Sequence, residues 1–120
     1  MMSLLRKIFL FYLLILLVSC SICENTIISE KVSPSKDFLV YLFDRDCGAT
    51  TSKSAHISLK KINSKLRDSE KGNIFIADNI EKIQVDWIDT KSVKISVNSN
   101  CRIFLQEEKY NDIEINVIYY

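Results

Sequence analysis

The sequence predicts an all-β fold: a small antiparallel sheet of six or seven strands, folded over as a sandwich or a partly open barrel, preceded by an N-terminal hydrophobic signal helix. Three observations carry this. Beyond Lys36 the apolar residues recur with period two rather than 3.6. Short polar connections such as DTKS, NSN and KYND break the pattern at hairpin intervals. One uninterrupted apolar run, Ile8 to Val18, directly follows the basic pair Arg6 and Lys7 and has the length of a signal-peptide core, short of the roughly 20 residues a spanning helix needs.

The apolar run ends in LVSC. Leu17, Val18, Ser19 and Cys20 resemble the lipobox of bacterial lipoproteins, in which the cysteine is lipidated and becomes the first residue of the mature chain. This divides the chain into a signal peptide (1–19), a lipidated N-terminus and polar tether containing the single proline (20–36), and a β domain (37–120). More than one acyl chain on Cys20 gives stable anchoring without a transmembrane helix, because each buried methylene contributes about 0.8 kcal/mol. The expected location is therefore outside the cytoplasm: the periplasmic face of an outer membrane, where Ser21 resembles the residue that permits export to it, or the outer face of a plasma membrane.

The strands follow in order. DFLVYLFDRD is apolar without a break from Phe38 to Phe43, as expected of a central strand covered on both faces. AHISLKK alternates to about Lys60, with Ile57 and Leu59 on one side, and a charged loop then runs to Gly72 with room for one helical turn, although Leu59, Ile62 and Leu66 could instead line one face of a short helix. NIFIAD is next. IQVDWI places Ile83, Val85 and Trp87 on one face, SVKISV places Val93, Ile95 and Val97, and RIFLQEE leads to IEINVIYY with Ile113, Ile115, Val117 and Tyr119 in register. A chain of 120 residues, 48% hydrophobic and 26% charged, supports one such core.

Charge excludes one class of partner. Lys plus Arg total 16 against 15 for Asp plus Glu, and loss of the signal leaves 14 against 15. Neither balance offers an electrostatic footprint for nucleic acid. The expected partners are the membrane, through the lipid, and an envelope protein or glycan. With only Gly48 and Gly72 in the chain there is no Gly-rich phosphate loop, and no cofactor or metal is expected.

The four cysteines are Cys20, Cys23, Cys47 and Cys101. With Cys20 lipidated, three remain in an oxidising compartment. Cys47 and Cys101 both stand at strand ends, and a Cys47–Cys101 bridge is expected, worth about 4 kcal/mol in the chain-entropy model. Cys23 is then the odd thiol. A thiol enzyme, hydrolase or transferase, is the alternative: Cys47 as nucleophile and the sole histidine, His56, as base, with Asp44 or Asp46 to orient it. Against it, a lone histidine on an alternating strand more often faces solvent. The Cys20–Cys23 pair has the spacing of a redox or zinc motif but lies outside the folded domain. Adjacent acids such as Glu107 and Glu108 are expected to be solvated strand ends.

The stretch SPSKDFLVYLFDRDCGATTSKSAHISL resembles a family of small bacterial proteins of unknown function, many of them assigned as lipoproteins, with an Arg-Asp-Cys-Gly-Ala-Thr-Thr motif between two strands. The similarity extends more weakly to GNIFIAD and IQVDWIDTKSVKISV. It implies no activity. The family often has an SPDGK turn where this chain has SPSKD, so its tight glycine turn is not expected here. The turn and following strand also look like one propeller blade, but one blade makes no propeller. Within the motif, Gly48 admits a positive φ and Thr50, Thr51 and Ser52 offer capping hydroxyls. Together with Asp44, Arg45 and Asp46 this forms a candidate recognition loop, expected to be pinned by the bridge at Cys47.

Overall fold

The computed structural model describes residues 2–18, 23–48 and 53–120. Helix α1 spans Met2–Val18, and nine strands follow: β1 Glu24–Val32, β2 Phe38–Asp46, β3 Ser54–Lys61, β4 Phe75–Asp78, β5 Ile83–Asp89, β6 Ser92–Val97, β7 Arg102–Gln106, β8 Lys109–Tyr110 and β9 Ile113–Tyr119. Among the described residues no helix is long and apolar enough to cross a membrane. The strands form two sheets, ordered β1-β2-β3-β4-β7 and β5-β6-β9-β8. Neither closes on itself, so the choice between sandwich and barrel falls to a sandwich.

The expectation of a purely antiparallel sheet is corrected at one pairing. β6 and β9 run parallel, Ser92 opposite Glu114 through Val97 opposite Tyr119. Between them the chain leaves its sheet: β7 pairs with β4 in the other sheet, and the β8–β9 hairpin brings the chain back in the direction of β6. A crossover of this kind is what a parallel neighbour requires.

The core lies between the sheets and is built by the alternation visible in the sequence. Val40 and Leu42 of β2, Ile57 and Leu59 of β3 and Phe75 and Ala77 of β4 meet Val85, Val93, Ile95, Val97, Ile113 and Ile115 of the second sheet. Ile83, Trp87 and Val117 pack at its margin, while Tyr119 stays exposed. The other face of β2 is also covered: Leu39, Tyr41 and Phe43 form a second cluster with Leu66. The unbroken run Phe38–Phe43 therefore does serve a strand buried on both sides.

The segment expected to be a tether is instead the edge strand β1, paired along β2 from Glu24 opposite Asp46 to Val32 opposite Leu39. The turn between them uses Pro34 and the Ser33 side chain. Ser33 Oγ accepts the N–H groups of Asp37 and Phe38 at 3.2 and 3.1 Å, and Lys36 takes a φ of 63° in place of a glycine. β1 is tied across to the second sheet as well. Lys31 Nζ donates to the Val85 carbonyl at 2.8 Å and pairs with Asp86, and Trp87 Nε1 donates to the Lys31 carbonyl at 3.0 Å.

Candidate functional site

The outer face of the five-stranded sheet carries the side chains that alternate away from the core: Asn25, Tyr41, Phe43, Arg45, His56 and Ser58. Over them runs a strap, residues 62–72, whose backbone closes a few bonds of its own, Ile62 N–H to Asp37 O, Ser64 N–H to Lys61 O and Glu70 N–H to Arg67 O, and is otherwise bonded by side chains. Arg45 Nη1 donates to Asn25 Oδ1 at 2.9 Å and to the carbonyls of Asp68 and Glu70 at 2.7 and 2.9 Å. Asn25 Nδ2 donates to the carbonyls of Arg67 and Glu70, each at 2.8 Å. Tyr41 Oη donates to Ser64 O at 2.9 Å, and Lys60 pairs with Glu70. The irregular segment runs to Ile74, two residues past the expected end at Gly72, before β4 begins at Phe75, and it contains no helical turn.

Gly72 is where the strap meets the sheet. A Cβ there would lie 2.8 Å from the Phe75 carbonyl oxygen, 3.0 Å from His56 Cβ and 3.0 Å from the Ile57 nitrogen. Two of those atoms are backbone of packed strands and cannot give. Gly72→Ala is expected to cost about 2 kcal/mol by overpacking, read as a lowered urea midpoint at unchanged slope.

His56 is buried rather than solvent-facing, which corrects the expectation for a lone strand histidine: the strap covers a face that alternation alone leaves to water. Its Nδ1 accepts the Gly72 N–H at 2.8 Å, so the ring proton resides on Nε2 and is donated to Ser54 Oγ, also at 2.8 Å. The ring lies 5.3 Å from that of Phe43. Burial, with Arg45 and Lys71 adding repulsion, lowers its pKa from 6.5 to about 4.

The expected Cys47–Cys101 bridge is corrected. Cys47 is bonded to Cys23, 24 residues away in sequence, and Cys101 is free. The register explains it. With Glu24 opposite Asp46, the next pair outward is Cys23 and Cys47. Cys101 precedes β7, three strands from β2, or about 14 Å at normal strand spacing, beyond the reach of a disulfide. Its thiol is half-buried, and burial pushes its pKa up. The bridge also leaves Cys47 without a thiol to ionise, and both His56 ring nitrogens are committed, so the two do not form a nucleophile–base couple in this oxidised structure.

The candidate recognition loop is divided. Arg45 is 8% exposed and turned into the strap. Asp46 Oδ1 accepts the Gly48 N–H at 3.1 Å, and Gly48 has a φ of 127°. Asp44 alternates to the opposite face from Arg45. Thr50 and Thr51, like Cys20, lie outside the described residues.

What the structure does assemble at this corner is a cleft of about 310 Å³ lined by Arg45, Cys47, Ser54, His56, Lys71, Ile76 and Phe104. No carboxylate is among these lining residues. Arg45, Cys47 and His56 were singled out by sequence. Ser54, Lys71, Ile76 and Phe104 were not, because they come together only through the β3–β4–β7 pairing and the strap. The one sequence signal was Gly72, one of two glycines, at the strap's end.

Fold and cleft together define a disulfide-closed, two-sheet β-sandwich with a small basic and aromatic cleft beside the bridge, carried behind an apolar N-terminal helix. The chain belongs to a family of unknown function (DUF5412), whose sequence model matches residues 1–113. No curated protein and no solved structure matches it.

Proposed function

We propose that the chain is an exported, lipid-anchored envelope protein whose sandwich acts as a non-enzymatic binding or accessory module at the membrane surface. The observation that carries this reading is the Cys23–Cys47 bridge, which begins three residues after Cys20 of the LVSC sequence. Disulfides persist where thiols are not kept reduced, which suits export. The mature chain in this reading begins with a diacylated cysteine and is pinned into the sheet almost at once. Three residues reach about 10 Å at most, so the bridge corner is held against the bilayer, and no polar tether intervenes. The module's partner is then a component of the envelope within reach of that corner, a protein, a glycan or the lipid itself.

Metabolic labelling with palmitate tests the anchor. The wild-type chain is expected to incorporate label and sediment with membranes, and Cys20→Ala to abolish the label while Cys23 and Cys47 stay protected from alkylation. Equal labelling of Cys20→Ala, or an unlabelled wild-type chain in the cytosol with reactive Cys23 and Cys47, overturns the reading.

A further inference from the structure

We infer that the cleft between Arg45, Ser54, Lys71, Ile76 and Phe104 binds an anionic amphiphile, a phosphate or carboxylate head carrying an alkyl chain. The side chains at the cleft leave several donors unspent. His56 gives its single proton to Ser54 Oγ, so the serine's own hydroxyl hydrogen is left to point at a ligand. Among the described residues, Arg45 uses Nη1 for the strap and makes no bond through Nε or Nη2, and Lys71 Nζ has no ion-pair partner. The neighbouring acids are engaged elsewhere: Glu70 with Lys60, Asp68 with the Asn25 N–H and Asp46 with the Gly48 N–H. A site with donors and two cations but no carboxylate in its lining selects an anion.

The other wall is apolar. Ile76 and Phe104 line it, and Phe104 is 58% exposed, a large aromatic surface left in water. Arg102 sits 5.0 Å from the ring centroid, but its charge is met by Asp78, so the cations of the site are Arg45 and Lys71. A bare inorganic anion leaves this wall unused, whereas a head with a chain satisfies both halves of the cleft.

The sole histidine of the chain lines the cleft, so its imidazole resonance reports on this site separately from any amphiphile taken up by α1. The full chain in a non-ionic detergent is titrated with octyl phosphate, inorganic phosphate and octyl glucoside. Octyl phosphate is expected to displace the His56 resonance saturably, with inorganic phosphate acting at least tenfold more weakly and octyl glucoside not at all. Lys71→Gln is expected to raise the Kd for octyl phosphate about tenfold, a typical loss for one charge-assisted contact. Phe104→Ser is expected to raise it about fivefold while leaving inorganic phosphate unchanged. Both side chains are exposed, so neither change threatens the fold.

A response that octyl glucoside reproduces, or that neither variant weakens, overturns the site. Nanodiscs of phosphatidylcholine with and without phosphatidylglycerol identify the source. A resonance already displaced by phosphatidylglycerol assigns a bilayer headgroup, and one displaced only by added octyl phosphate assigns a soluble amphiphile. The headgroup assignment rests on the anchoring reading above, but the cleft does not: Cys20→Ala is expected to keep the octyl phosphate response even though it abolishes acylation.

Discussion

Replacing Cys47 by alanine is expected to lower the free energy of unfolding by about 3.5 kcal/mol, the chain-entropy value for a loop closed across 24 residues. That is a large share of the 5–15 kcal/mol typical of a small domain. The loss falls on β1. This strand is an edge, paired only with β2, and none of its nine residues is fully buried, so it has little apolar area with which to hold itself in place. What fixes its N-terminal half is the bridge, together with Asn25 at the strap and the register against β2. Urea denaturation should show the same loss for Cys23→Ala, for Cys47→Ala, for the double variant and for the reduced wild-type chain, because all four open the same loop. Cys101→Ala should be nearly silent in this comparison. If Cys101→Ala instead matches Cys47→Ala, the pairing described here is wrong. Amide exchange adds a local check: reduction should expose the amides of residues 24–28 well before those of β2 and β3, which lie in the interior of the sheet.

The contrast between β1 and β2 shows what the sequence could disclose. β2 announces itself because both its faces are buried, and a run from Phe38 to Phe43 has few other uses. The paired faces of β5, β6 and β9 are equally plain, since each turns every second residue into the inter-sheet core. β1 writes no such pattern. Its side chains are at most half-buried, and a shift of register between Ile27 and Ser29 breaks the phase midway, so ENTIISEKV looks like a tether. Missing β1 concealed the partner of Cys47, because only the β1–β2 register sets Cys23 beside it. The parallel β6–β9 pairing was hidden for a different reason: it depends on β7 crossing to the other sheet, a choice of topology that no local period records. The strap is a third case. Its residues are polar and aperiodic, as a loop should be, and nothing local says that it lies over the sheet. Yet that placement turns Arg45 from a recognition residue into a clasp, and His56 from a surface residue into a buried one.

Burial of His56 makes the domain acid-sensitive in a defined window. The folded pKa, about 4, lies below the unfolded value of 6.5, so between those values the unfolded chain binds a proton that the native chain refuses. Stability from the neutral ring is therefore complete above pH 6.5 and is lost as pH falls toward 4. The linkage amounts to roughly 3 kcal/mol once both states are protonated, and to about 2 kcal/mol between pH 7 and pH 5. Protonation is costly because the ring is buried, because Arg45 and Lys71 repel the charge, and because Nδ1 must give up the Gly72 N–H that it accepts. That last bond ties the end of the strap to β3, so acid should loosen residues 62–72 first. Asp78, held below the usual carboxylate range by the hydrogen bond from Arg102, enters only at lower pH and leaves the window to the histidine. Chemical denaturation at pH 7, 6 and 5 should show the decline, and His56→Asn, which sets an oxygen near the position of Nδ1 but cannot titrate, should flatten it whatever its own stability. A slope in that variant equal to the wild-type slope, or an imidazole that titrates near 6.5 in the folded chain, would show that His56 is not held neutral by its surroundings.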